Sequence, residues 1–158
     1  MVFNHAFTLT QQQIHSLLRV ITDLLYDTRI EVADTARVAL SSFIKSTAPR
    51  LDLANMITRF VNQLAVDGQA DHRLGAALGL RGVIESYPYD VPEWMPVALT
   101  KLVTYLRDKN GAIRQCVNDG LQEFWRTHRD DWELSFKNTF TAAQINAIQQ
   151  RTSTSYYA

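Results

Sequence analysis

A repeat of about 40 residues constrains this chain more than any other feature. Asp27, Asp67 and Asp108 stand 40 and 41 residues apart, and matching residue classes follow each of them. Five residues on come Val32, His72 and Ile113; nine on come Ala36, Ala76 and Val117. The small residues Ala39, Gly79 and Gly120 occupy the twelfth position, followed by Leu40, Leu80 and Leu121. Phe43, Val83 and Phe124 stand at the sixteenth. Upstream, Leu24, Leu64 and Tyr105 align, as do Ile21, Val61 and Leu102. A unit of this length with apolar residues at spacings of three and four is a helical hairpin. One such hairpin cannot bury its apolar face alone, so successive units stack. The expected fold is all-α: HEAT/armadillo-like helical-hairpin repeats stacked as a short α-solenoid. The small residue at the twelfth position is expected to let one hairpin lie close on its neighbour.

Local signals divide the repeats into helices. From Thr10, the residues Ile14, Leu17, Leu18, Ile21, Leu24 and Leu25 form one apolar stripe. Thr10 with Gln13 reads as a capping box, and Leu9 with Ile14 as a hydrophobic staple. Thr28 with Glu31 repeats the box for a second helix that stops before Pro49. A second pair is expected at about 51–66 and 70–86, the latter carrying Gly75, Gly79 and Gly82. Three glycines in a helix cost roughly 0.5–1 kcal/mol each against alanine, so close helix approach must compensate. A third pair covers about 92–107, opened by Pro92, and 111–128. A short segment near 131–138 precedes a last helix, where Thr141 with Gln144 forms a third box and Phe140 with Ile145 a staple. The expected organisation is an N-terminal segment 1–9 and a repeat domain 10–150, with repeats at about 10–47, 51–86 and 92–128 and terminal helices over 131–150. A flexible tail, 151–158, follows.

Composition bears mainly on partners. Lys plus Arg and Asp plus Glu are each 16 in 158 residues, so the formal net charge is zero. Sequence-independent binding to nucleic acid or an anionic membrane needs a positive excess, so neither partner is expected. Cys116 is the single cysteine, which rules out an intramolecular disulfide and fits a reducing compartment. No apolar run approaches the length that spans a bilayer, and residues 1–7 lack the pattern of a signal peptide. An intracellular protein is expected.

Signals for chemistry are sparse. His5, His15, His72 and His128 are scattered, with no pair at metal-ligand spacing on a helix. His72 falls on a repeat core position and reads as a packed histidine. His128 lies at a helix end beside Arg126 and Arg129, where cations suit the dipole. Cys116 reads as a buried inert thiol, and Asp130-Asp131 as capping residues. A catalytic reading would require His128 to meet Asp130 or Asp131 in a cleft. No phosphate loop, serine elbow or zinc cluster is present. The expectation is therefore no enzyme, no catalytic residues, no metal and no cofactor. The stretch from Tyr87 to Pro96, with three prolines and three aromatics, reads as a stiff corner pinned by Trp94 and Met95.

The chain end stands apart from this packing logic. Ser155-Tyr156-Tyr157-Ala158 places two aromatic rings and a carboxylate after a run of Thr and Ser. Large rings left at a polar end point to a pocket on another molecule. Backbone donors or a lysine can capture a carboxylate that only a chain end offers.

Three runs and this end together resemble one family. They are Arg73-Leu74-Gly75-Ala76-Ala77-Leu78-Gly79-Leu80, the corner from Pro88 to Pro96, and Arg126-Thr127-His128-Arg129-Asp130-Asp131-Trp132. In order, and with Tyr-Tyr-Ala at the end, they are similar to the C-terminal region of the 200-kilodalton proteasome activators. That family comprises proteasome activator complex subunit 4 and its yeast bleomycin-sensitivity counterpart. The resemblance covers about residues 70–158; over 10–69 it rests on the repeat pattern, and residues 1–8 match nothing.

The resemblance implies a long HEAT-type solenoid that caps the 20S proteasome core without ATP. A C-terminal motif of hydrophobic residue, tyrosine and any residue enters a pocket between adjacent α-subunits and promotes gate opening. Carried over, Tyr156 is the hydrophobic position, Tyr157 the penultimate tyrosine and Ala158 the end. The partners implied are 20S proteasome α-subunits and, through the full-length family protein, acetylated histones. The locations implied are nucleus and cytoplasm, and the process ubiquitin-independent proteolysis. At 158 residues the chain is expected to carry only the last repeats of such a solenoid. The alternative reading is a generic HEAT-repeat adaptor whose concave face holds another protein.

Overall fold

The computed structural model describes residues 9–66 and 68–153, with side chains through residue 149. Among the described residues there are seven α-helices and no strand. They are α1 (Gln11–Leu24), α2 (Ile30–Thr47), α3 (Leu53–Ala65), α4 (Ala70–Glu85), α5 (Met95–Val103), α6 (Gly111–His128) and α7 (Ala142–Ser153). Short 3-10 turns follow α2 and α5, and another precedes α7.

Helix starts follow side-chain chemistry. The Thr10 hydroxyl accepts the Gln13 N–H at 3.2 Å, and Gln13 Oε1 accepts the Thr10 N–H at 2.8 Å. Thr141 and Gln144 make the same reciprocal pair at 3.2 and 2.8 Å. The box expected at Thr28 and Glu31 does not form. Asp27 Oδ1 takes the Arg29 N–H at 2.8 Å, so α2 starts at Ile30 with no side-chain cap. Asp108 repeats this turn, accepting the Asn110 N–H at 2.8 Å. Such an Asx turn explains why aspartate recurs at this register; Asp67 lies outside the described residues. α5 likewise starts later than expected. It begins at Met95, with Pro96 in the first turn, where the missing N–H costs nothing.

The helices pair as α1/α2, α3/α4 and α5/α6, and α2, α4 and α6 form a continuous layer. α4 is the centre, packing on α2, α3, α5 and α6. That position explains its composition, because a helix buried all round needs small residues wherever a neighbour crosses. A Cβ on Gly79 would fall 2.5 Å from the Phe60 ring, and one on Gly75 2.5 Å from Tyr26 and 2.7 Å from the Leu25 carbonyl. Gly82 lies against the Arg37 backbone of α2, and Gly120 against the Arg81 side chain of α4. The twelfth position therefore acts unevenly. Gly120 admits the neighbouring hairpin, Gly79 admits Phe60 of its own hairpin, and Ala39 is exposed.

The core is one cluster running from Leu25 to Ile148 and including Leu40, Phe60, Leu80, Met95, Leu102, Val117 and Phe124. Each such side chain contributes about 1.5–3 kcal/mol on leaving water. His72 is not among them. The buried phase of α4 runs through Arg73, Ala76, Ala77, Leu80, Val83 and Ile84, leaving His72 exposed with its ring 5.4 Å from Tyr26. Arg73 takes the interior place instead. It pairs with Asp108, donates from Nε to the Leu64 carbonyl at 3.0 Å, and lies over the Tyr105 ring. This buried cation joins the end of α3 to the α5–α6 connection. The corner behaves as a packed joint: Met95 is fully buried, and Tyr87 meets Trp94 edge to face at 5.4 Å.

Candidate functional site: the anchored terminal helix and the face of α2, α4 and α6

Tyr156, Tyr157 and Ala158 lie outside the described residues. The structure does describe the helix that leads to them. α7 packs on α5, with Ile148 fully buried and Ile145 half-buried against the core. Before it, Trp132 and Phe140 pack on each other and on Phe124. The apolar side chains of α7 thus join it to the body only a few residues before the tail.

A second candidate region lies on the layer of α2, α4 and α6. Ile30, Glu31 and Asp34 of α2 face Ala112, Gln115, Cys116 and Asp119 of α6 across Leu74, Leu78 and Arg81 of α4. The cleft between them holds about 400 Å³. It continues into a second hollow of about 470 Å³ lined by Arg37, Arg81, Glu85, Asp119, Gln122, Glu123 and Arg126, three guanidiniums against three carboxylates. The ion pairs alternate along it. Arg37 pairs with Glu85 and, at 2.7 Å, with Asp34. Arg81 reaches Glu85 at 2.6 Å and Asp119 at 3.6 Å. The hydrogen bond from Arg37 holds the Asp34 carboxyl below its ordinary range. Sequence reasoning missed this face, although the repeat contained its signal. Asp34, Leu74 and Gln115 stand 40 and 41 residues apart and line one row.

The residues weighed for catalysis do not converge. His128 is buried, stacked on Phe124 at 4.3 Å, with Nδ1 2.9 Å from the Phe124 carbonyl and Nε2 3.1 Å from the Asp90 carbonyl. Both ring nitrogens are thus occupied, and the residue ties α6 to the corner. Asp130 and Asp131 are exposed, and what Asp131 offers the next turn is its backbone carbonyl, which accepts the Ser135 N–H at 2.9 Å. Cys116 is buried, and burial pushes its thiol up to about 12, so it stays protonated. Among the described residues no three His, Cys, Asp or Glu converge as metal ligands. None of the described helices is long and apolar enough to cross a membrane.

Comparison with known proteins bears on the whole chain. A family model described as proteasome activator complex subunit 4-like, C-terminal, matches residues 71–158. Proteasome activator complex subunit 4B of Danio rerio is 32% identical over 179 residues, covering 100% of the chain and 10% of that protein. Proteasome activator subunit 4 of Arabidopsis thaliana is 26% identical over 167 residues, covering 99% of the chain and 9% of its own length. Proteasome activator BLM10 of Saccharomyces cerevisiae is 25% identical over 164 residues, covering 95% and 8%. The chain spans about a tenth of the length of these curated relatives. All three are named as proteasome activators. With the family model matched over more than half its length, the chain belongs to the proteasome activator complex subunit 4-like C-terminal family.

Proposed function

We propose that this chain is the C-terminal module of an ATP-independent proteasome activator, and that Tyr156-Tyr157-Ala158 is its anchor. α7 continues through Ser153, three residues beyond the expected start of the tail. Residues 10–153 therefore serve as the platform, and 154–158 are the segment that docks into a pocket between α-subunits of the 20S core. Family membership carries this reading. The chemistry of the end supports it. A carboxylate captured by a lysine makes a charge-assisted bond worth about 1.5–3 kcal/mol. Each tyrosine adds a large apolar ring and a hydroxyl that can be partnered on burial. α7 ends at Ser153, so the five residues that follow could span at most roughly 16–18 Å if fully extended. A single tail binds weakly, so the body contributes by holding it at high effective concentration. Docking promotes gate opening, and the module acts in nucleus and cytoplasm on proteins such as acetylated histones through the longer activator.

Two variants test the anchor. Tyr157→Ala and removal of Ala158 should each abolish retention of 20S core particles while leaving far-ultraviolet circular dichroism unchanged. Retention equal to the parent in both variants rejects the anchor.

A further inference from the structure

The groove over α4 has a character that the tail reading does not use. We propose that it binds an extended peptide bearing a lysine or arginine beside apolar side chains. Its floor at one end is Leu74 and Leu78, and Ile30 on the α2 wall is 47% exposed. The charged side chains of that half are Glu31, Asp34, Asp119 and Arg81, three carboxylates against one guanidinium. Arg81 is already engaged by Glu85 and Asp119. Arg37 holds Asp34, and Arg81 and Gln115 hold Asp119. Both carboxylates still keep open edges: the Asp34 side chain is 48% and the Asp119 side chain 38% exposed, and Glu31 is exposed beside them. Asp34 remains ionised, since the hydrogen bond from Arg37 favours its charged form.

Charge complementarity selects the occupant. An acidic peptide would meet repulsion from both walls, and a purely apolar one would desolvate carboxylates without giving them a partner. A cationic side chain between the Glu31–Asp34 wall and Asp119 satisfies both, with neighbouring apolar side chains on Leu74 and Ile30. Leu74, Leu78, Arg81 and Glu85 recur along α4 at spacings of three and four, forming one continuous stripe. From the first to the last, the stripe runs roughly 16 Å, which matches about five extended residues. Parallel second helices of stacked hairpins commonly present such an elongated surface.

The test uses fluorescence anisotropy of the full chain with two fluorescein-labelled peptides, Gly-Leu-Lys-Leu-Gly and Gly-Leu-Glu-Leu-Gly. The lysine peptide should bind saturably and the glutamate peptide should not. Glu31→Lys and Ile30→Ser alter exposed side chains and should each weaken the lysine peptide about tenfold. Leu134→Ser, at a position 81% exposed outside the groove, should leave binding unchanged. Equal binding of the two peptides, no saturable binding of the lysine peptide, or groove variants matching the parent each overturn the proposal. These outcomes are separate from core-particle retention, so the groove and the tail fail independently.

Discussion

Gly79 has the least room of any residue whose purpose the repeat announced. The Phe60 ring occupies the space of its absent Cβ, at 2.5 Å. Gly79→Ala should therefore destabilise the fold by about 1–3 kcal/mol, read as a lower urea midpoint. Ala39→Ser, at the equivalent but exposed position, should stay within about 0.5 kcal/mol. The repeat made the smallness legible but not the partner, because the same register faces three different surroundings. Arg73 was the reverse case. It stands inside the run that carries the family resemblance, while the repeat register places the core position at His72, one residue away. Only the phase of α4 against four neighbours decides between them. Replacing Arg73 by Ala should cost about 3–5 kcal/mol, since the buried Asp108 carboxylate loses its ion pair.

The same pair gives a pH dependence. Burial pushes the Asp108 carboxyl up, but hydrogen bonds from Arg73 and the Asn110 N–H outweigh it and hold the group below its ordinary value. A carboxyl lowered in the folded state stabilises that state above its unfolded value of about 3.9. The contribution is lost as pH falls through the lower folded value. Thermal midpoints measured from about pH 5 down to pH 2 should therefore fall less steeply in Asp108→Asn than in the parent. Equal slopes would remove Asp108 from the acid response.

At the scale of elements, α4 and α7 divide the work of the molecule. α4 holds the stack together through Gly75, Gly79 and Gly82, and α7 joins the stack to the tail through Ile148. Ile148→Ala should cost about 2–5 kcal/mol and raise hydrogen exchange first in α7, because the removed methyls pack against the body rather than within the helix. Uniform exchange across α1–α7 would contradict a separately docked terminal helix. Two of the three capping boxes were legible because their residues have no better partner. The third failed at Thr28 because Asp27 captures the Arg29 N–H first. The start of α5 was misplaced for a similar reason, since Pro92 and Pro96 both fit a first turn and only the corner around Met95 chooses. The repeat aligns Asp34, Leu74 and Gln115, but the groove's walls come from α2 and α6, two repeats apart, and its charges matter only when juxtaposed.

For the whole molecule, the proposal makes the stacked hairpins a platform for a short segment that ends in Tyr156-Tyr157-Ala158. The family likeness over residues 71–158 takes in both the second half of the stack and the tail, and α7 ends at Ser153. The all-α stack was legible in full, because a period of about 40 residues leaves few alternatives. Tyr156, Tyr157 and Ala158 lie outside the described residues, so the roles proposed for them rest on the family and on the chemistry of the chain end. The direct test is retention of 20S core particles by this chain with a free C-terminal carboxylate and by the same chain amidated at Ala158. Loss of retention on amidation, with helical content intact, is the predicted result. Equal retention by both forms would contradict the account.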